Sequence, residues 1–274
     1  MAEGTYHRLF DLGGKTAVIT GACGILGRRF AAGLAEFGAS LALVDLDRAA
    51  ATALAREIET RYGVAARGIV CDIADPRQVR TMAETVEATL SAPAILMNNA
   101  ATKGADLDAF FAPVEQFDLA TWREVMAVNL DGMFLVAQAI GGGMAERGHG
   151  SIIQTASIYG VMAADQRIYE GSLYNGRGIN TPAVYSASKA GVIGLTRHLA
   201  TYWAPRGVRV NTLTPGGVAS GQNDEFARRY SARVPMGRMA EADDLVGAAV
   251  FLASDASRYV TGQNIIVDGG LSAW

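Results

Sequence analysis

Residues 16–27 read Thr16-Ala-Val-Ile-Thr20-Gly21-Ala-Cys-Gly24-Ile25-Leu26-Gly27. A short apolar run without polar alternation predicts a strand buried on both faces. Ile25, Phe30, Leu34 and Phe37 then recur at near-helical spacing and predict a helix over 25–37. Gly21, Gly24 and Gly27 stand where that strand turns into that helix. Without a β-carbon they let backbone N–H groups close on an anion at the positive end of the helix. The spacing is G-x-x-G-x-x-G rather than G-x-G-x-x-G. Taken alone, the turn reads equally as tight strand–helix packing.

The same alternation continues downstream. Leu41–Val44, Ile69–Cys71, Ile95–Met97, Ser151–Thr155, Val208–Leu213 and Asn264–Val267 are further strand-like runs. Arg48–Tyr62, Pro76–Leu90, Thr121–Met144, Ala183–Trp203 and Ala242–Ala253 carry helical patterns, with Asp75 before Pro76 as a cap. Apolar strands alternating with helices predict an α/β fold: one doubly wound, Rossmann-type domain over residues 1–274, with about seven parallel strands and helices on both faces. Gly141–Gly143 predicts either an early helix end or a close packing contact, because each helical glycine costs roughly 1 kcal/mol relative to alanine.

Half of the 274 residues are hydrophobic and 19% are charged, which excludes disorder as the main state. The formal charge of −3 and the lack of a basic block argue against nucleic-acid binding. Cys23 and Cys71 cannot form a disulfide framework, so a reducing, cytoplasmic setting is expected. The N-terminal MAEGTYHRLF has no signal-peptide hydrophobic region, and Glu36 or Gln138 breaks the most apolar stretches short of a membrane span. His7, His149 and His198 lack metal-ligand spacing, so no metal is expected.

Asp45 ends the second strand, 18 residues after Gly27. That is near the roughly 20-residue offset of an acid that hydrogen-bonds an adenosine ribose. Its charge repels a 2′-phosphate, which favours NAD over NADP, with Arg48 as a possible phosphate partner. Asp47 is placed to cap the next helix. Further on, Tyr185-Ser-Ala-Ser-Lys189 opens a helix and puts phenol and ammonium on one face. A neighbouring ammonium lowers a phenol pKa, and the pair can serve as general base toward a hydroxyl or general acid toward a carbonyl. Alone, Y-x-x-x-K is a common accident.

In order, the motifs are TGxxGxxG, Asp45, Cys71-Asp72-Ile73, Asn98-Asn99-Ala100, Asn129, Ser157, Tyr185-x-x-x-Lys189, Pro215-Gly216 and Val267-Asp268-Gly269-Gly270. This order resembles the short-chain dehydrogenase/reductase family over residues 12–271. The resemblance implies a nicotinamide cofactor and commonly a homotetramer. It implies that Gly21, Gly24, Ile25, Leu26 and Gly27 hold the pyrophosphate, and that Asp72 and Ile73 flank the adenine. Asn98 and Ala100 would lie beside the nicotinamide ribose, and Pro215, Gly216 and Val218 beside the carboxamide. Tyr185 would exchange the proton, Lys189 would bind the ribose and tune Tyr185, Ser157 would hold the reacting oxygen, and Asn129 would support a proton relay. Asn98 and Asn129 read equally as buried structural amides.

Three departures stand out. The glycine spacing of the first turn resembles the extended branch of the family, whereas chain length and the remaining motifs resemble the shorter-chain branch, so the turn reads as a variant. Alanine follows Asn98-Asn99-Ala100 where the family usually has glycine. Ser157 and Tyr185 are 28 residues apart, about twice the family's usual separation. The run from Ser157 to Gly171 resembles a subgroup associated with flagellin modification and sugar biosynthesis. The insertion, about 159–182, carries Asp165, Arg167, Tyr169, Glu170, Tyr174, Asn175 and Arg177. It is expected to act as a lid over a polar, sugar-like substrate, with Arg167, Tyr169 and Glu170 as substrate residues; a solvent-exposed flap or a subunit contact is the competing reading. The expected activity is NAD-dependent hydride transfer between a secondary alcohol and a ketone. Alternatives are an NADP-dependent carbonyl or 3-oxoacyl-thioester reductase and a non-catalytic nucleotide-sensing module.

Overall fold

The computed structural model describes residues 6–174 and 176–274; Asn175 and the start of the N-terminal segment lie outside the described residues. Among the described residues, nine strands follow in chain order: β1 (Thr16–Thr20), β2 (Ser40–Asp45), β3 (Ala66–Val70), β4 (Pro93–Asn98), β5 (Gly150–Thr155), β6 (Leu173–Tyr174), β7 (Arg177–Gly178), β8 (Val208–Pro215) and β9 (Asn264–Val267). Seven form one sheet in the order β3-β2-β1-β4-β5-β8-β9, every pair parallel. The order reverses beside β1, so the crevice at the carboxyl ends of β1 and β4 is where a doubly wound sheet binds ligands.

The helices are α1 (Ile25–Glu36), α2 (Arg48–Tyr62), α3 (Pro76–Thr89), α4 (Leu107–Phe110), α5 (Leu119–Met126), α6 (Met133–Arg147), α7 (Ala183–Trp203), α8 (Asp224–Ser231) and α9 (Val246–Ala253). Along β1 the side chains alternate between two cores. Ala17 and Ile19 join Phe30, Leu54 and Val250 on one face, while Val18 joins Met82, Ile140 and Trp203 on the other. This is the doubly covered sheet that the apolar runs predict. Asp47 caps α2 through Ala50 N–H at 3.0 Å, and Asp75 caps α3 with Pro76 in its first turn.

Two expectations change, and one pair of alternatives is decided. The third strand lies at Ala66–Val70 rather than Ile69–Cys71. It is the sheet edge, where Arg67 and Gly68 are exposed, so its apolar run is short. The helix through Gly141–Gly143 does not end there. A β-carbon on Gly141 would stand 2.6 Å from the Trp203 ring, so the close-packing reading holds for that glycine. Residues 119–147 are, by length and composition, apolar enough to cross a membrane, despite Gln138. Here α6 packs on β4, β5 and α3 as a core helix.

Candidate active site

The glycine turn is built for close approach. Gly21 has φ +62°, and a β-carbon there would lie 2.8 Å from Ala100 Cα. A β-carbon on Gly27 would lie 2.1 Å from the Gly21 carbonyl oxygen, which seats α1 directly on the turn. Gly24 differs: its nearest neighbour would be the Gly21 oxygen at 3.3 Å, and its surface is exposed. It is the N-cap of α1 and supplies no side-chain acceptor, so the helix start faces outward uncapped. An open cradle at an uncapped helix start fits a dinucleotide pyrophosphate. Ile25, the first residue of α1, is about half exposed beside it, and Leu26 joins it on the cavity wall.

Thr20 fixes the turn to the next strand. Its hydroxyl donates to Asn98 Oδ1 at 3.1 Å and accepts from the N–H groups of Asn99 and Ala100 at 2.9 and 3.1 Å. Asn98 is fully buried and gives its Nδ2 to the Met133 carbonyl at 2.7 Å. Its amide is therefore spent within the fold, in line with the structural reading, and it sets the backbone at Ala100. Asp45 accepts from Cys23 N–H and Leu46 N–H, both at 2.8 Å, which brings its carboxylate to the turn. The cation on the turn is Arg28, whose Nε donates to the Cys23 carbonyl at 3.1 Å. Arg48 is exposed on α2. The Asp72 carboxylate accepts from Ala74 N–H at 2.9 Å, and Ile73 is buried against Gly132.

Ser157, Tyr185 and Lys189 come together on one cavity of about 350 Å³ that Pro215, Gly216 and Val218 also line. Ser157 leaves the end of β5, and Tyr185 and Lys189 project from the first turns of α7. The Ser157 hydroxyl accepts from Tyr159 N–H at 3.3 Å and lines the same cavity as the Tyr185 phenol. Burial raises the Tyr185 pKa above its ordinary value of 10, the Ser157 hydroxyl pulls it back, and nearby Tyr169 adds to the rise. The motif reading expects the ammonium to lower that pKa. In the structure Lys189 Nζ instead donates to the Thr155 carbonyl at 3.0 Å, 6.0 Å from the Tyr185 ring centroid. Burial lowers Lys189 itself from 10.5 to about 8.

Asn129 sits in a π-helical segment, Ala127–Gly132, that joins α5 to α6. Fully buried, it accepts from Thr102 N–H at 2.7 Å and donates to the Thr102 carbonyl at 3.1 Å. One extra residue in the helical turn is a common device where a helix serves a site. The amide holds the loop after β4 in place.

The insertion is packed down. Ile168 is buried in a satellite cluster with Phe226, Tyr230 and Leu271, and Tyr169 lies 5.6 Å from Phe226 between ring centroids. Of the three substrate residues expected there, only Tyr169 lines the cavity; its hydroxyl donates to Tyr159 at 3.2 Å and pairs with Thr181. Arg167 lies off the cavity wall, its guanidinium 85% exposed and held by Asp165 through two 2.8 Å bonds. Glu170 lies off it as well, 75% exposed and facing Arg229 at 3.6 Å. Sequence reasoning passed over Lys103, Asn180 and Gln222, which do line the cavity. Asn180 falls at the C-terminal end of the insertion, but Lys103 belongs to no motif.

A family model described as enoyl-(acyl carrier protein) reductase matches residues 21–272. D-threitol dehydrogenase of Mycolicibacterium smegmatis is 37% identical over 269 residues, covering 95% of this chain and 94% of that protein. The crystal structure of a gluconate 5-dehydrogenase from Burkholderia cenocepacia, with NADP and tartrate, superposes with a TM-score of 0.86. It is 36% identical and covers 97% of this chain and 98% of that one. A short-chain dehydrogenase from Leptospira borgpetersenii with bound NAD+ gives a TM-score of 0.82 at 33% identity, covering 96% and 94%.

Proposed function

Because the chain belongs to the short-chain dehydrogenase/reductase family and is an oxidoreductase of CH–OH groups, we propose that it interconverts a secondary alcohol and a ketone on a polyhydroxylated substrate, with NAD as the preferred dinucleotide. The observation that carries this reading is the Ser157–Tyr185 hydroxyl pair on the cavity wall with Lys189 buried behind it. When bound, the nicotinamide supplies or accepts the hydride. Tyr185 gives its phenolic proton to the developing alkoxide in reduction and takes the hydroxyl proton in oxidation. Ser157 holds the same oxygen by a hydrogen bond, and Lys189 keeps a cation near the phenol and the ribose hydroxyls. Gly21, Gly24, Gly27 and the start of α1 hold the pyrophosphate, and Asp45 receives the adenosine ribose.

A second reading, NADP, is favoured by Arg28 on the turn. We further propose a cytoplasmic homotetramer: the two cysteines are free, and the C-terminal strand and the long helices match parts that pack subunits in this family. The deciding experiment is turnover of a panel of sugar alcohols and sugar acids with NAD and NADP, with Tyr185→Phe as control. Wild type should act on members of the panel, and Tyr185→Phe should lose about 10²–10⁴-fold in turnover with NADH affinity retained. Near-normal turnover in that variant removes Tyr185 from the mechanism.

A further inference from the structure

We propose that Lys103 recognises an anionic end group, carboxylate or phosphate, on the polyhydroxy substrate; this rests on the dehydrogenase reading above and narrows its substrate class. The chain has only three lysines, Lys15, Lys103 and Lys189. Lys15 pairs with Asp255 on the far surface, and the other two line the cavity. Among the described residues the cavity wall carries no Asp, Glu, Arg or His. A protein of net charge −3 thus lines its site with two ammonium groups and no counter-charge.

The two lysines differ. Lys189 is buried and committed to the Thr155 carbonyl. Lys103 is half-buried in the loop after β4, and its Nζ lies 3.7 Å from the centroid of the Tyr174 ring, contributed by the hairpin β6–β7. Among the described residues no carboxylate lies within 4.0 Å of it. A ring face orients an ammonium without neutralising it, so the charge stays available to an anion.

A second group on the wall is also incomplete. Asn180 gives its Nδ2 to the Phe111 carbonyl at 2.8 Å, while its buried Oδ1 has no partner among the described residues. Buried acceptors are rarely left unpaired, and a substrate hydroxyl would supply the missing donor. A held cation and an unfilled acceptor in one cavity match a molecule carrying both an anion and hydroxyl groups. A neutral polyol would use the acceptor and leave the cation unanswered.

The test compares D-glucitol, D-gluconate and glucitol 6-phosphate as substrates of wild type, Lys103→Met and Lys103→Arg. The anion-to-glucitol ratio of kcat/KM should exceed about tenfold in wild type, fall about tenfold or more in Lys103→Met through KM, and largely survive in Lys103→Arg, as expected for a charge-assisted hydrogen bond. The anion that shows this dependence is the end group recognised. Wild-type preference for glucitol, or a ratio unchanged in Lys103→Met, overturns the inference and leaves the dehydrogenase reading intact. An equal loss of NADH affinity in Lys103→Met assigns the lysine to the cofactor and overturns it too. If none of the three compounds is turned over, the substrate reading fails, and calorimetry on NADH-loaded enzyme decides the inference separately. Gluconate or phosphate-ester binding that wild type shows and Lys103→Met loses upholds it, and no binding to wild type overturns it.

Discussion

Asp45 has one observed role and one proposed role, both carried by its carboxylate. It accepts backbone N–H bonds from Cys23 and Leu46, and it presents negative charge where an adenosine ribose would lie. Charge repulsion toward a 2′-phosphate should make NAD better than NADP by at least about tenfold in kcat/KM, roughly 1.4 kcal/mol. Asp45→Ser should narrow that gap and raise KM for both dinucleotides, because the turn loses its acceptor. Steady-state kinetics with both cofactors check this, and wild-type preference for NADP would shift the assignment to Arg28. Lys189 makes a different kind of prediction. Burial lowers its pKa from 10.5 to about 8, so between those values the unfolded chain binds more protons at this site than the native one. Stability from this group therefore rises with pH from about 8 toward 10.5. Thermal melts across that range should show a rise in wild type that Lys189→Met lacks.

The helix running through α5 and α6 shows what sequence patterns carry and what they conceal. Its hydrophobic period predicts a long helix, and the ends fall close to those observed. The π segment around Asn129 leaves no trace in that period, because one widened turn does not change which residues are apolar. The triple glycine is half legible. A penalty at each position is plain from composition, but only the packing separates the three. On Gly141 a β-carbon would meet Trp203 at 2.6 Å and Ile152 at 2.9 Å, whereas on Gly142 it would meet nothing within 4 Å. Gly141→Ala should therefore destabilise by about 1–3 kcal/mol through overpacking. Gly142→Ala should stabilise by about 0.5–1 kcal/mol through helix propensity. Urea unfolding of the two variants gives opposite signs if the contact reading is right, and equal signs if it is not.

Across the molecule, the two halves of the cleft differ in how they are encoded. The proposed cofactor half comes from the turn after β1 and the ends of β2 and β4, each a local motif that becomes readable through the order of its neighbours. The proposed catalytic group Ser157, Tyr185 and Lys189 is readable by order and spacing. The substrate half is assembled from distant segments, and composition misleads there. Arg167 is polar and sits in the insertion, yet Asp165 two residues away satisfies it outside the cavity. Lys103 becomes a site residue only because the fold lays Tyr174 beside it. Beside the apolar packing around Ile168, one polar side chain ties the insertion to α8 at several points. Asn223 Oδ1 accepts from Leu173 N–H at 3.1 Å and from Phe226 N–H at 3.2 Å, and its Nδ2 reaches the Gly171 carbonyl at 3.3 Å. It thus caps α8 and fastens the hairpin β6–β7 to it at once. Tyr174 of the hairpin and Phe226 and Tyr230 of the helix line the cavity and form its roof, while Ile25 and Leu26 beside the glycine turn line it from other elements. Asn223→Ala should loosen both roof elements together. KM for substrate should rise several-fold, hydrogen exchange should speed up at Leu173 and Phe226, and NADH affinity should stay near wild type. Loss of NADH affinity in step with substrate KM would show that the roof and the cofactor half are one cooperative unit rather than two.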